Sequence, residues 1–459
     1  MKKQFFKIVL LLGIPVISCI TVLPSCSYSN DDDQTEHENK PDPEPEPEPE
    51  PDPEKYTEAL KLPNCYMVKP GESVSIPVLK AFAVWNLYSD ELLSQDISFS
   101  EFTPVPELLW QDESGLITSV GLLENIGEDS QFVVATAAKT GNAVVVVRFG
   151  GIIRWSWHIW VTGYDPNADQ PQQGKTFTWD NNDDGVIDYV FMDRDLGARS
   201  DGTLLTATDS LAAYGLYYQY GRKDPFPQDI TGKEENIPLR SRPLYRIDGS
   251  QLPSLGNGND VGIRAELSIA MAPGTIPNLA RSILNPLTLY FGKAPVSDIG
   301  DWYSYQTPRE CNDELWEKEG AKAAFDPCPE GWQVPPHKNK YPEYEGTWNS
   351  DLRKPWWINL QPFTPAYSPL GVFPFSGEIS GSFGTTKPEE VNNVFLILAG
   401  RYYMTNAATP ATFYGNGARN AYGMSMHVYN DKATTSTDVR GRSTATTLRC
   451  VKEDKTDNL

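Results

Sequence analysis

Apolar and polar positions alternate in a different way in each of four stretches of this chain. The first stretch is one apolar run, residues 8–12, 14–17 and 20–23, behind the cations Lys2, Lys3 and Lys7. It is about as long as the apolar core of an export signal and short of the ~20 residues that a spanning helix needs. The second is polar throughout: Asp31-Asp32-Asp33, then strict proline alternation over residues 41–54. The third, residues 56–165, carries the period of two that marks strands. Ser73-Val74-Ser75-Ile76-Pro77-Val78 alternates, and residues 131–136 and 143–149 are rich in β-branched side chains. Gly150-Gly151 then offers a tight turn into Ile152-Ile153-Arg154-Trp155-Ser156-Trp157-His158-Ile159-Trp160-Val161, so this segment predicts a hairpin. In its second strand Trp155, Trp157, Ile159 and Val161 share one face, and Arg154, Ser156, His158 and Trp160 the other. That alternation predicts a sheet with one face in a core, within a β-sandwich over 56–165. Trp155 and Trp157 are expected in the core. Trp160 is the better candidate for exposure or for packing against the next domain.

The fourth stretch, residues 176–455, comes after a connector of turn-forming composition, 164–174. Here Asp180-Asn181-Asn182-Asp183-Asp184-Gly185-Val186-Ile187-Asp188 matches the first nine positions of a calcium loop. Asp180, Asn182, Asp184, the Val186 carbonyl and Asp188 would supply the oxygens. The twelfth position is Phe191 where a bidentate acid belongs. The flanks Phe177-Thr178-Trp179 and Tyr189-Val190-Phe191 read as strands, where a calcium loop has helices. Two readings stay open: a weak calcium site, or a hairpin whose polar turn needs no metal.

The start of the chain adds location. Leu23-Pro24-Ser25-Cys26 resembles a bacterial lipobox, in which the cysteine becomes the acylated N-terminus. Residues 1–25 are then the lipoprotein signal peptide and Cys26 the lipidation site. Several acyl chains on one cysteine anchor stably, at ~0.8 kcal/mol per buried CH₂. The acidic stretch after Cys26 resembles the export signal of surface lipoproteins in the Bacteroides group. The resemblance implies a cell outer membrane location, lipid-anchored and surface exposed. Residues 26–55 form the spacer. Its prolines exclude helix and central strand, leaving polyproline II, which reaches on the order of 40 Å over residues 41–54.

Composition removes several alternatives. Net charge is −22, from 39 Lys plus Arg against 61 Asp plus Glu, with no basic stripe, so a nucleic-acid partner is not expected. There are four histidines, and His158, His337 and His427 lack metal spacing. No G-x-S-x-G elbow or phosphate loop occurs, and Gly256-Asn257-Gly258 lacks the strand–helix context of a dinucleotide site. The chain is therefore expected not to be an enzyme and to carry no cofactor other than calcium. Beyond the export segment, Cys65, Cys311, Cys328 and Cys450 contain no C-x-x-C pair, and four cysteines allow three pairings.

Further segments carry a broader likeness. They are Met192-Asp193-Arg194-Asp195-Leu196-Gly197-Ala198, Gly215-Leu216-Tyr217-Tyr218-Gln219-Tyr220-Gly221-Arg222-Lys223-Asp224-Pro225-Phe226, Asp326-Pro327-Cys328-Pro329-Glu330-Gly331-Trp332-Gln333-Val334-Pro335 and the closing Thr447-Leu448-Arg449-Cys450-Val451-Lys452. With the 155–160 strand they resemble the Fibrobacter succinogenes major paralogous domain, as found in fimbrillin-family and tip-adhesin-like Bacteroides lipoproteins. The resemblance spans roughly residues 60–455. It implies a C-type-lectin-like fold for 176–455, so with the strand pattern of 56–165 the expected chain is mainly β with some α: an N-terminal β-sandwich, then a larger α+β domain. It also implies a disulfide between Cys328 and Cys450, because the corresponding strands lie close in that fold. Residues matching the sugar-chelating loops of C-type lectins (Glu-Pro-Asn, Gln-Pro-Asp, Trp-Asn-Asp) are absent. The functional expectation is a cell-adhesion or fimbria-associated tip or accessory protein binding a glycan or a protein, with pilus subunits among its partners. The alternatives are a glycan-capturing lipoprotein of a nutrient-uptake system and a surface hydrolase.

Overall fold

Gly150 and Gly151 sit at φ 58° and 80°, the left-handed region open to glycine, and turn the chain back on itself. The segments on either side pair antiparallel, as the Gly-Gly signal predicts. The computed structural model describes residues 53–88, 92, 103–123, 127–167, 176–179, 189–202, 212–227, 243–252, 264–267, 276–291, 301–303, 312–319, 321–335, 378–381, 394–397, 400–408, 420–429 and 432–453. Cys26, Cys311 and the loop Asp180, Asn182, Asp184, Val186 and Asp188 lie outside them.

The chain is mainly β, with three helices among the described residues. Its first part runs α1 (Pro53–Leu60), β1 (Cys65–Val68), β2 (Ser73–Pro77), α2 (Leu79–Leu87), β3 (Val105–Gln111), β4 (Ile117–Leu122), β5 (Gln131–Thr136), β6 (Gly141–Phe149) and β7 (Ile152–Val161). The start of α1 corrects the expected spacer, whose last residues, 53–55, are helical: Pro53 stands at the first helical position, where its missing N–H costs nothing. One sheet has the order β1-β7-β6-β3, with β1 parallel to β7; a second has the order β2-β5-β4. Phe132 of the second sheet meets Trp157 of the first at 5.3 Å, and Phe82 of α2 meets Phe149 at 5.0 Å. α2 is apolar nearly all round, so it is buried nearly all round, including Lys80.

The later part runs β8 (Thr176–Trp179), β9 (Tyr189–Met192), β10 (Tyr218–Gln219), β11 (Arg264–Leu267), α3 (Asn278–Leu284), β12 (Thr288–Phe291), β13 (Glu317–Lys318), β14 (Ala321–Lys322), β15 (Trp332–Gln333), β16 (Glu378–Gly381), β17 (Val394–Ile397), β18 (Gly400–Ala408), β19 (Asn420–Tyr429), β20 (Lys432–Gly441), β21 (Ala445–Thr446) and β22 (Val451–Lys452). Its sheets are β15-β22-β9-β8, β10-β21-β16-β17, β18-β19-β20 and two pairs, β11-β12 and β13-β14. β8 and β9 form the antiparallel arms expected around the aspartate-rich loop. Cys328 and Cys450 are joined by a disulfide beside β15 and β22, Cα to Cα 6.0 Å.

Residues 52–459 form one unit, so the parts before and after residue 165 share a core. This corrects the expectation for β7. Only Ile152 is exposed along it; both faces are covered. Ser156 donates to Asp224 at 2.5 Å, and His158 meets Tyr218 from the later part. Exposure of Trp160 is likewise overturned: it is fully buried and packs on Tyr164 at 5.8 Å. A period of two reports which side chains share a face, and partners far along the chain decide whether that face meets water.

Candidate functional site: a groove beside a sheet edge

Asn64, just before β1, ties the start of the chain to the later part. Its amide Nδ2 donates to the carbonyls of Ala324 and Asp326, both at 2.8 Å, and its Oδ1 accepts from Trp155 Nε1. This docks β1 against the Cys328-Pro329-Glu330-Gly331-Trp332 turn, which is itself built around two charges. Asp326 accepts from the backbone N–H of Cys328 and of Val334, both at 2.8 Å, and so closes the turn at two points. Lys322 fills its inside, donating to the carbonyls of Cys328, Pro329 and Trp332 at 3.0, 2.8 and 2.5 Å. Gly331 has φ 74° there. Burial pushes the Asp326 carboxyl up to about 6, against the opposing pull of Lys322.

Between β1 and this turn lies a groove of about 1000 Å³. Its wall is residues 65–69 with Pro63 and Glu72 on one side and 329–333 with Lys452 and Glu453 on the other; Thr162 and residues 164–167 also line it. It carries four carboxylates, Glu72, Asp165, Glu330 and Glu453, and three amines, Lys69, Lys322 and Lys452. Lys322 is already held by the three carbonyls and by Glu453 at 3.4 Å. The groove therefore has an acidic excess. The Tyr66 phenol is pushed up by burial and by Glu330. The indole N–H of Trp332, a lining residue, has no hydrogen-bond partner among the described residues.

The backbone of β1 gives the groove its directional chemistry. His158 N–H donates to the Asn64 carbonyl and Thr162 N–H to the Val68 carbonyl. In a parallel ladder alternate residues bond to one neighbour, so Asn64, Tyr66 and Val68 face β7 while Cys65 and Met67 present their N–H and C=O outward. Cys65 is bridged to Pro329. Met67 lines the groove, and no strand among the described residues pairs with its outer edge. The outer edge of β15 is occupied by comparison: Trp332 N–H donates to the Pro329 carbonyl and its C=O accepts from Lys322.

A second polar cluster is sealed within the protein. His158 Nε2 meets Asn142 Oδ1 at 3.0 Å, and Asn142 Nδ2 donates to Asp112 and to the Gly197 carbonyl. Because Asn142 offers oxygen, His158 carries its proton on Nε2, and Nδ1 accepts from Tyr218 at 3.3 Å. Burial holds its pKa down to about 3, so it is a neutral structural imidazole. Lys223 pairs with Asp224 at 2.7 Å and also reaches Ser156; burial brings Lys223 down to about 8. Lys80, held by the Leu62 carbonyl, is lowered well below its usual range by burial and then by Lys322 and Lys223. Cys65 is an unpaired buried thiol, pushed up by burial.

Of the residues singled out from sequence, Cys328 and Cys450 are brought together, and His158 is buried as structure. The side chain of His427 in β19 lies outside the described residues. Sequence reasoning missed Asn64, Lys322, Asp326 and Met67. The signal for Asp326 was present: an acid two residues before a cysteine in a proline-flanked turn is the pattern of a side chain that caps its own loop. Among the described residues no group of three or more His, Cys, Asp or Glu is placed to hold a metal, and no helix is long and apolar enough to cross a membrane. No protein-family model, curated protein or solved structure matches the chain.

Proposed function

We propose that this chain is a surface-anchored lipoprotein that acts in cell adhesion, as a stand-alone or fimbria-associated accessory protein whose head binds a glycan or a protein. The observation that carries this reading is the order of its first 55 residues: cationic apolar signal, Cys26, acidic stretch, proline–glutamate spacer. That order anchors a head by fatty acid and holds it away from the membrane. The unit formed by residues 52–459 supports a binding role, because His158 and its Lys223–Asp224 pair are spent on internal contacts. We read the two sheets of β1 to β7 as a β-sandwich and the later part as C-type-lectin-like. The support is the Phe132–Trp157 contact between the sheets and the pairing of β15 with the last strand, β22. Calcium at Asp180, Asn182, Asp184, Val186 and Asp188 belongs to the same reading.

A glycan and surface-protein array probed with residues 27–459, with and without calcium, tests it. The expected result is saturable binding to a defined ligand class. Turnover of a polysaccharide with no retained binding would contradict it and favour a hydrolase.

A further inference from the structure

We propose that the groove beside β1 takes an extended polypeptide segment of another protein, bearing a lysine or arginine, which pairs its main chain with Met67. The inference rests on the reading of this chain as a surface binder and names the class of its partner. Three observations meet at one place. Met67 presents an N–H and a C=O away from β7, into a groove where no described strand meets them. An unpaired sheet edge is a template for a further strand, and main-chain hydrogen bonds of this kind recognise any extended peptide. The neighbouring edge positions cannot compete, since Cys65 is bridged to Pro329 and Trp332 is closed by Pro329 and Lys322. The bound segment is thereby limited to a short stretch centred on Met67.

Charge narrows the partner further. With Lys322 held inside the turn, Glu72, Asp165 and Glu330 outnumber Lys69 and Lys452 around the groove. A cationic side chain on the incoming segment is the complement. The aromatic chemistry points away from sugar. Trp332 is buried, Tyr66 is half-buried, and no aromatic side chain is among the exposed large hydrophobics of the described residues, so a sugar finds little flat surface to stack on beside Met67.

Panning a phage-displayed random octapeptide library on residues 27–459 tests the proposal. Recovered peptides, synthesised with a fluorophore, are titrated against the unaltered chain and two variants. Met67→Pro removes the outward N–H at an edge position, where proline is tolerated. Glu330→Lys reverses one exposed rim charge and keeps the test valid if the proline variant fails to fold. Enrichment of lysine- or arginine-bearing peptides is expected. About tenfold weaker binding to Met67→Pro is expected, as for one lost hydrogen bond, with weaker and less salt-dependent binding to Glu330→Lys. The Met67 amide should exchange slowly only when peptide is bound. No enrichment, equal binding to both variants, a Met67 amide already protected in the free chain, or binding of oligosaccharides alone at this groove would each overturn it. An acylated Cys26 with no peptide selected would sink the peptide site while leaving the surface-binder reading standing.

Discussion

His158 shows how much a single buried side chain governs here. Its pKa falls from 6.5 unfolded to about 3 folded, so folding favours the neutral ring. The stability it contributes is present above pH 6.5 and is lost as pH falls toward 3. Between pH 7 and 3.5 that amounts to about 4 kcal/mol. Asp326 opposes it: its raised pKa, about 6, makes stability rise as pH falls from 6 toward 3.8. His158→Gln can still donate to Asn142 and accept from Tyr218. Urea unfolding at the two pH values should show it losing about 4 kcal/mol less than the unaltered chain; equal losses would refute the assignment. Lys223–Asp224 makes a second prediction. Asp224→Ala leaves the Lys223 amine buried with Ser156 and should cost about 3–5 kcal/mol, and pairing it with Lys223→Met should recover much of that. A double-mutant cycle by denaturant unfolding measures both. None of this was legible in sequence. Ser156 and His158 read only as the polar positions on one face of a strand and Lys223 only as part of a motif, and their partners lie up to 68 residues away.

Elements were more legible where the signal is local. The β6–β7 hairpin follows from Gly150-Gly151 between β-branched runs, and the arms β8 and β9 follow from aromatic and β-branched triplets around an acidic loop. Gly151 has nothing within 4 Å of a Cβ, so a side chain there costs only its backbone strain. Gly151→Val should lower stability by about 1–2 kcal/mol with no other change in the melting profile. The turn at residues 326–334 was visible only as a motif. Its physics, Asp326 closing it and Lys322 pinning it from within, needs the strand β14 that precedes it. The Cys328–Cys450 bridge closes a separation of 122 residues. Reduction, or replacement of both cysteines by alanine, should lower stability by at most ~4–5 kcal/mol, read as a shift in denaturant midpoint. The second face of β7 was misread for a plain reason: alternation gives the pleat, and only the packing of Asp224 and Tyr218 onto Ser156 and His158 closes that face.

For the whole molecule, the central claim concerns where the head is held. A groove with an acidic excess and a sheet edge unpaired among the described residues would be useful on the outside of a cell, where other proteins pass within reach. The proline–glutamate spacer supplies that reach only if the chain is fixed at its other end by Cys26. Mass spectrometry of the N-terminal proteolytic peptide from membrane-extracted protein reads this directly. The predicted mature chain begins at Cys26 and carries the mass of its acyl groups, absent in Cys26→Ala. A mature chain beginning elsewhere, or at Cys26 with no added mass, would contradict the claim.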